Sequence, residues 1–308
     1  MKPTNLVNVG NIGFEASKII FGCMRINKVS YSEGEKAVLT SLESGIDFFD
    51  HADVYGKGEC EEIFGKIMQN NGIKREKIII QTKCGIRNGL FDFSKEHIID
   101  SLNKSLKRLN TDYVDVLLLH RPDVLFEPEE ISQAFNKLHS EGKVKYFGVS
   151  NQTPGMIELI QKYTDHKLII NQLQLSIMHT GMFDHVLNMN MKNDSSINRD
   201  SGILEYCRLK DITVQAWSPF QYGFFDGVFI GNEKFKEVNA VINKLSEKYN
   251  STPNAIATAW ILRHPAKMQV VIGTMNSKRV SDISKAVDIN LSKEEWYEVY
   301  RAAGNELP

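Results

Sequence analysis

The sequence predicts an α/β protein, a (β/α)8 TIM barrel with an N-terminal β-hairpin and extra helices. Three observations predict it. Short β-branched runs alternate with longer amphipathic helical patterns almost throughout the 308 residues. Several of the runs are apolar without a break, as strands covered on both faces require. Nearly every run also ends in a polar or aromatic side chain suited to a site, and a parallel barrel is the architecture that gathers its strand ends around one site.

In chain order, Leu6 to Phe14 precedes the repeat and reads as a hairpin across the barrel floor. The strands follow at 18–22 (KIIFG), 46–50 (IDFFD), 77–83 (KIIIQTK), 114–120 (VDVLLLH), 145–151 (KYFGVSN), 168–174 (LIINQLQ), 212–218 (ITVQAWS) and 268–274 (MQVVIGT). The helical patterns between them carry start signals. Ser32 with Glu35, and Ser292 with Glu295, have the spacing of a capping box. Thr153-Pro154 and Thr252-Pro253 set a capping residue before a proline in the first turn.

Two connections exceed the length of a simple turn, and structureless loops of that length are functional or disordered. Residues 176–200 are polar and Asn-rich toward their end, so disorder is one reading of them. Residues 219–234 hold PFQYGFFDGVF, aromatic enough to fold over something apolar. Helical patterns near 234–248 and 292–302 would decorate the barrel. No linker or composition shift divides the chain, so residues 1–308 read as one domain.

The totals exclude several classes. A 42% hydrophobic content supplies a barrel-sized core, and 24% charged residues suit a soluble surface. A net charge of −1 and a pI near 6.7 give no general field for polyanions, so no nucleic-acid partner is expected. Cys23, Cys60, Cys84 and Cys207 show neither paired metal spacing nor CxxC, which points to a reduced, cytoplasmic setting and no metal. The N-terminus lacks a signal sequence and no apolar run reaches membrane-spanning length, so no membrane partner is expected. The sequence sets no oligomeric state.

The ionisable strand-end residues carry the chemistry. Asp50 ends the second strand, Lys83 the third and His120 the fourth, while Tyr55 sits in a Gly-bounded loop five residues after Asp50. A lysine in a crowded barrel mouth needs a partner, and Asp50 is the obvious one. A phenol titrates near a pKa of about 10, and a cation within about 4–6 Å lowers it. His120 suits hydrogen bonding to a substrate oxygen or a place in a proton relay. Taken singly, the four read as a helix cap, a rim charge, a structural histidine and loop packing. Four of them at one barrel end argue for a site.

On FDHADVYG (49–56), IIIQTK (78–83) and VDVLLLH (114–120), the chain resembles the aldo-keto reductases. These are an NADP(H)-dependent (β/α)8 family without a Rossmann fold, and the likeness runs from about Ile19 to Val287. The resemblance implies a catalytic set of Asp50, Tyr55, Lys83 and His120 acting on small aldehydes or ketones. Tyr55 would give a proton to the carbonyl oxygen as the nicotinamide delivers hydride. Lys83 would lower its pKa, Asp50 would hold Lys83, and His120 would orient the carbonyl.

For the cofactor, the resemblance implies that Ser150, Asn151 and Gln172 hold the nicotinamide carboxamide. Trp217 would lie against its ring, with Ser218 beside it; packing at the barrel rim is the plainer account of Trp217. GTMNSKRV matches the family's adenosine 2′-phosphate site, giving Thr274, Asn276, Ser277, Lys278 and Arg279 at a helix start, where free N–H groups favour an anion. Asp282 would accept from the adenine. The plainer account of that segment is a capped surface helix with solvated charges. The absence of GxGxxG argues against a Rossmann dehydrogenase.

Two positions depart from the family pattern: His51 replaces the usual Thr, as core packing or as part of the relay, and Ile283 stands where an Asn commonly lies beside the adenine. The substrate pocket would draw on Met24, Arg25, Tyr55, His120, Trp217 and the two long loops. Arg25 suits an anionic substrate or a protein carboxylate. The alternatives are a nicotinamide-binding regulatory protein resembling the potassium-channel β-subunits, and a barrel hydrolase or lyase using Asp50 and His120. The lack of clustered metal ligands argues against the latter.

Overall fold

The eight apolar runs pair edge to edge and close on themselves. The structure, a computed structural model, describes residues 5–308. A hairpin comes first: β1 (Leu6–Val9) lies antiparallel to β2 (Phe14–Ser17), so it ends at Ser17 rather than at Phe14. Then come β3 (Ile19–Gly22), α1 (Tyr31–Glu43), β4 (Phe48–Asp50), α2 (Glu59–Asn70) and β5 (Ile79–Cys84). A small hairpin of β6 (Ile86–Arg87) and β7 (Leu90–Phe91) precedes α3 (Lys95–Leu109), β8 (Val114–Leu119), α4 (Pro128–Ser140) and β9 (Val144–Ser150). Next are α5 (Pro154–Tyr163), β10 (Leu168–Gln174), α6 (Gly181–Leu187), α7 (Ile203–Leu209) and β11 (Thr213–Trp217). The short strands β12 (Gln221–Tyr222) and β13 (Gly227–Val228) form a third hairpin. The chain ends with α8 (Lys236–Lys248), α9 (Pro253–Leu262), β14 (Gln269–Ile272), α10 (Ser277–Ser284) and α11 (Lys293–Ala302).

Strands β3, β4, β5, β8, β9, β10, β11 and β14 form the closed barrel, each parallel to its neighbours, with β14 returning to pair with β3. All eight therefore finish at one end. At the other end the first hairpin closes the floor, since Val7, Val9 and Ala16 pack against Ile20, Phe48, Val116 and Ile169 from the barrel interior. The larger apolar cluster fills the space between barrel and helices.

Both threonine–proline starts cap their helices as expected, and Ser292 with Glu295 forms a capping box. The other box is Ser30 with Glu33, not Ser32 with Glu35. Both pairs have the S-x-x-E spacing. The helix that starts at Tyr31 places Gly34, Ala37, Val38 and Ser41 on its buried face, which decides between them. Residues 176–200 are also ordered rather than structureless. Met182 and Phe183 of α6 are buried, Phe183 stacks on His264 with centroids 5.1 Å apart, and Asp184 accepts from the Tyr300 hydroxyl at 2.6 Å.

The expected helices near 234–248 and 292–302 are α8 and α11. A tryptophan pair fastens α11. Trp260 and Trp296 stack with centroids 4.6 Å apart and planes 6° from parallel, and each indole N–H donates to the other's carbonyl oxygen at 3.0 Å.

Helices α2 and α3 meet at Gly65, where a Cβ would lie 2.6 Å from the Arg108 carbonyl oxygen. Backbone cannot yield as a side-chain tip can. Gly65→Ala is therefore expected to destabilise the chain by about 1–3 kcal/mol, the usual cost of overpacking. Urea unfolding measures it, and an unchanged midpoint contradicts so tight a helix contact. Among the described residues no helix is long and apolar enough to cross a membrane.

Candidate active site

The register of β4 on β5 builds the centre of the site. Asp50 pairs with Gln81 across the two strands. Beyond the strand end, the His51 N–H donates to the Gln81 carbonyl (2.8 Å) and the Asp53 N–H to the Lys83 carbonyl (3.0 Å). The chain then turns through left-handed backbone at Gly56, Lys57 and Gly58 into α2, which leaves Tyr55 at the barrel mouth.

Lys83 is fully buried, and its Nζ donates to both oxygens of Asp50 at 2.7 Å, to the His51 carbonyl at 2.8 Å and to the Tyr55 hydroxyl at 3.1 Å. A buried cation requires this degree of saturation. Burial pulls the ammonium down, but Asp50 and Tyr55 outweigh it and hold Lys83 above its ordinary value.

Tyr55 differs from the expectation of a depressed phenol. Burial pushes its pKa up, Lys83 pulls it down and Asp50 pushes it up again, and the net shift is upward. The lysine acts as expected, but burial is larger. Tyr55 is thus neutral and keeps its proton. His120 is held well below its ordinary value by burial, then by Lys83 and Arg121, so its ring is neutral. It meets Tyr55 edge to face, with centroids 5.9 Å apart.

Asp50 has partners beyond Lys83. Its Oδ1 accepts from Gln81 Nε2 (2.6 Å) and from Gln172 Nε2 (2.9 Å). Both amides also donate to Gln215 Oε1, at 2.9 and 3.0 Å. Gln215 in turn donates to Gln269 (3.0 Å), whose own amide reaches the Ser17 carbonyl at 2.8 Å. A chain of side-chain amides thus runs from Asp50 down to the floor hairpin. Gln81, Gln215 and Gln269 were not read as site residues. The signal is in the strands, since Gln81 and Lys83 sit two apart and face the same interior.

His51 is core packing and not part of a side-chain relay. Its ring is fully buried against Phe64, with centroids 4.6 Å apart, and burial, then Lys83, lowers its pKa to about 3. Its link to the site is the carbonyl that accepts from Lys83.

Above this centre lies a cavity of about 760 Å3. It is lined by Met24, Arg25, Asp50, Tyr55, His120, Ser150, Asn151, Gln172, Trp217, Ser218, Thr274, Asn276 and Arg279, all singled out from the sequence. The Asn151 amide donates to Ser150 Oγ (2.8 Å), and its Oδ1 accepts from the Trp217 indole at 3.2 Å, which anchors Trp217 at the rim. Phe225 stacks on Trp217 (5.9 Å) and Phe224 meets it edge-on (6.2 Å). The aromatic loop therefore does fold over an apolar surface.

Arg25 Nη1 reaches the Gly273 carbonyl at 3.4 Å, which groups it with the 274–279 segment. There Asn276 caps α10 by accepting from the Arg279 N–H (2.9 Å), and Arg279 Nη1 lies 3.5 Å from Thr274 Oγ1. Lys83, Ser277, Lys278 and Asp282 do not line the cavity, and Asp282 lies 3.8 Å from Lys285 at the C-cap of its helix. Ile283 is fully buried in the core. Arg121 directly follows His120 and lines the cavity beside it, a site residue that no motif in the sequence marks. Among the described residues no group of three or more His, Cys, Asp or Glu could hold a metal ion, and the four cysteines are free and buried.

The model of the aldo/keto reductase family matches residues 18–303. A 6-dehydroglucose reductase of Agrobacterium fabrum (strain C58 / ATCC 33970) is 33% identical over 95% of this chain and 96% of its own. Among solved structures, the thermostable aldo-keto reductase Tm1743, in complex with the inhibitor epalrestat, superposes with a TM-score of 0.77. It is 25% identical, over 96% of this chain and 99% of that one. A more distant relative, 26% identical over 92% of this chain and 90% of its own, is a probable voltage-gated potassium channel subunit beta of Oryza sativa subsp. japonica.

Proposed function

The chain belongs to the aldo/keto reductase family of oxidoreductases, and on that premise we propose that it reduces aldehyde or ketone carbonyls to alcohols with NADP(H), using Tyr55 as the proton donor. The observation that carries this reading is the position of Lys83 Nζ, 2.7 Å from both Asp50 oxygens and 3.1 Å from the Tyr55 hydroxyl at the base of a cavity.

The cavity suits a dinucleotide. Ser150, Asn151 and Gln172 offer polar groups beside the anchored Trp217 face. At the far end, Arg279 has no carboxylate partner among the described residues and stands beside the first N–H groups of α10, where an anion is favoured. These residues would hold the nicotinamide end and the 2′-phosphate end. A reduced nicotinamide, when bound, supplies a hydride.

The chain's own residues supply the rest. The neutral His120 ring can donate to the carbonyl oxygen without adding a charge. Tyr55 passes its proton to the same oxygen as negative charge gathers there. Lys83, kept cationic by Asp50, stabilises the phenolate left behind, and this electrostatic assistance is prearranged. Asp50 acts through Lys83, and Gln81 and Gln172 fix its carboxylate.

The test follows absorbance of NADPH, and separately NADH, with a panel of neutral and charged aldehydes. Saturable oxidation of NADPH supports the reading. Tight NADPH binding with no turnover on any carbonyl would instead select a binding module, the reading favoured by the rice relative. Arg279→Ala is expected to raise the Kd for NADPH by roughly 10–100-fold, the worth of a charge-assisted contact, and the Kd for NADH by much less. Calorimetric titration of both cofactors checks this, and equal losses remove the phosphate assignment.

A further inference from the structure

We propose that Arg121 is an anion-binding residue of the cavity, so that the ligand reduced here carries an oxyanion group, a carboxylate or a phosphate, beside its carbonyl. Reduction of that ligand rests on the carbonyl-reductase reading; its binding does not.

Arg121 follows His120 at the end of β8 and lines the cavity. Among the described residues its guanidinium makes no hydrogen bond and no ion pair. Its contacts are with aromatic faces: Cζ lies 5.7 Å from the Trp217 ring centroid and 5.6 Å from that of Phe224. Cation–π contact with two rings that stand 87° to each other holds the cation in place while leaving N–H donors free. Arginine carries five donors and no acceptor, so a half-buried guanidinium without an acceptor is an unmet requirement.

Among the described residues the cavity offers it no unengaged carboxylate. Asp50 and Glu33 are the two acidic residues in its lining. Asp50 is taken by Lys83, Gln81 and Gln172. Glu33 belongs to the α1 capping box, with Oε2 on the Ser30 N–H and hydroxyl. The cationic pair formed by Arg25 and Arg279 gathers at Gly273 and Thr274, a separate part of the lining. Arg121 is instead close enough to the reacting centre that Tyr55 enters into its electrostatics and it enters into those of His120. A planar fork in that place matches carboxylate or phosphate oxygens two at a time.

The test compares ligands of matched length in the NADPH complex of the full chain. Values of kcat/KM are measured for 4-oxobutanoate against butanal, and for glyceraldehyde 3-phosphate against glyceraldehyde, in wild type, Arg121→Met and Arg121→Lys. Wild type is expected to favour one anionic member by roughly 10–100-fold, as one charge-assisted contact provides. The two pairs distinguish carboxylate from phosphate. Arg121→Met is expected to lose that preference by slowing the anionic member alone, and Arg121→Lys to keep part of it.

A wild type indifferent to charge overturns the proposal. So does an Arg121→Met variant that slows both members of a pair alike, since that marks Arg121 as packing for Trp217. Binding is read apart from turnover by calorimetric titration of 4-hydroxybutanoate and of glycerol 3-phosphate into the NADPH complex. Saturable binding of either, lost in Arg121→Met, upholds the anion site even if no carbonyl is reduced, in which case only the reductase reading fails. Where no carbonyl is reduced, the absence of binding of either overturns the anion site.

Discussion

Tyr55→Phe is expected to lower kcat by roughly 100- to 10,000-fold, the range for a lost general acid, while the Kd for NADPH stays within about twofold of wild type. The substitution removes one atom. The ring keeps its edge-to-face contact with His120 and its place under Lys83, whose Nζ lies 5.0 Å from the ring centroid. Lys83 loses one acceptor but retains Asp50 and the His51 carbonyl, so folding stability should barely change. What disappears is the proton that burial keeps on the phenol. Single-turnover reduction and cofactor titration measure the two effects separately. Retained turnover with normal binding removes Tyr55 as the acid.

Lys83→Met should be costly in both activity and stability. It leaves the buried Asp50 carboxylate with amide donors alone, and breaking a buried ion pair from one side typically costs about 3–5 kcal/mol. The cation that steadies the departing proton's phenolate goes as well, so kcat should fall at least as far as in Tyr55→Phe. Denaturant unfolding and kcat together read the result. The double variant Asp50→Asn/Lys83→Met should be less unstable than the single losses summed, because the two residues touch and share one network. Strict additivity contradicts the coupling. A stable, active Lys83→Met contradicts the central role given to this lysine.

Much of this was legible in the sequence. The eight barrel strands stand out because a strand covered on both faces must be apolar throughout, and Phe48, Phe49, Leu117 and Leu118 are buried accordingly. The convergence of Asp50, Lys83 and His120 follows from parallel strands ending at one rim. What failed to show is what burial alone decides. The sequence places a cation near Tyr55 but not the depth of the phenol, and depth reverses the net shift. Two overlapping S-x-x-E pairs are equivalent until the packed face of α1 selects Ser30. Segment 176–200 looked structureless because its order comes from distant partners, His264 and Tyr300, contacting a helix of few residues. Arg121 stayed hidden because an exposed-looking charge next to a candidate histidine gives no hint that, among the described residues, nothing neutralises it.

The stacked indoles at the end of the chain make the protein its own optical instrument. It has three tryptophans. Trp217 faces the cavity, while Trp260 of α9 and Trp296 of α11 are locked face to face. Emission from the first reports what enters the barrel mouth; emission from the pair reports whether the final helix is seated. A Trp217→Phe chain isolates the second signal, so the seating of α11 becomes visible without any label, in the same cuvette and during the same titration that fills the site.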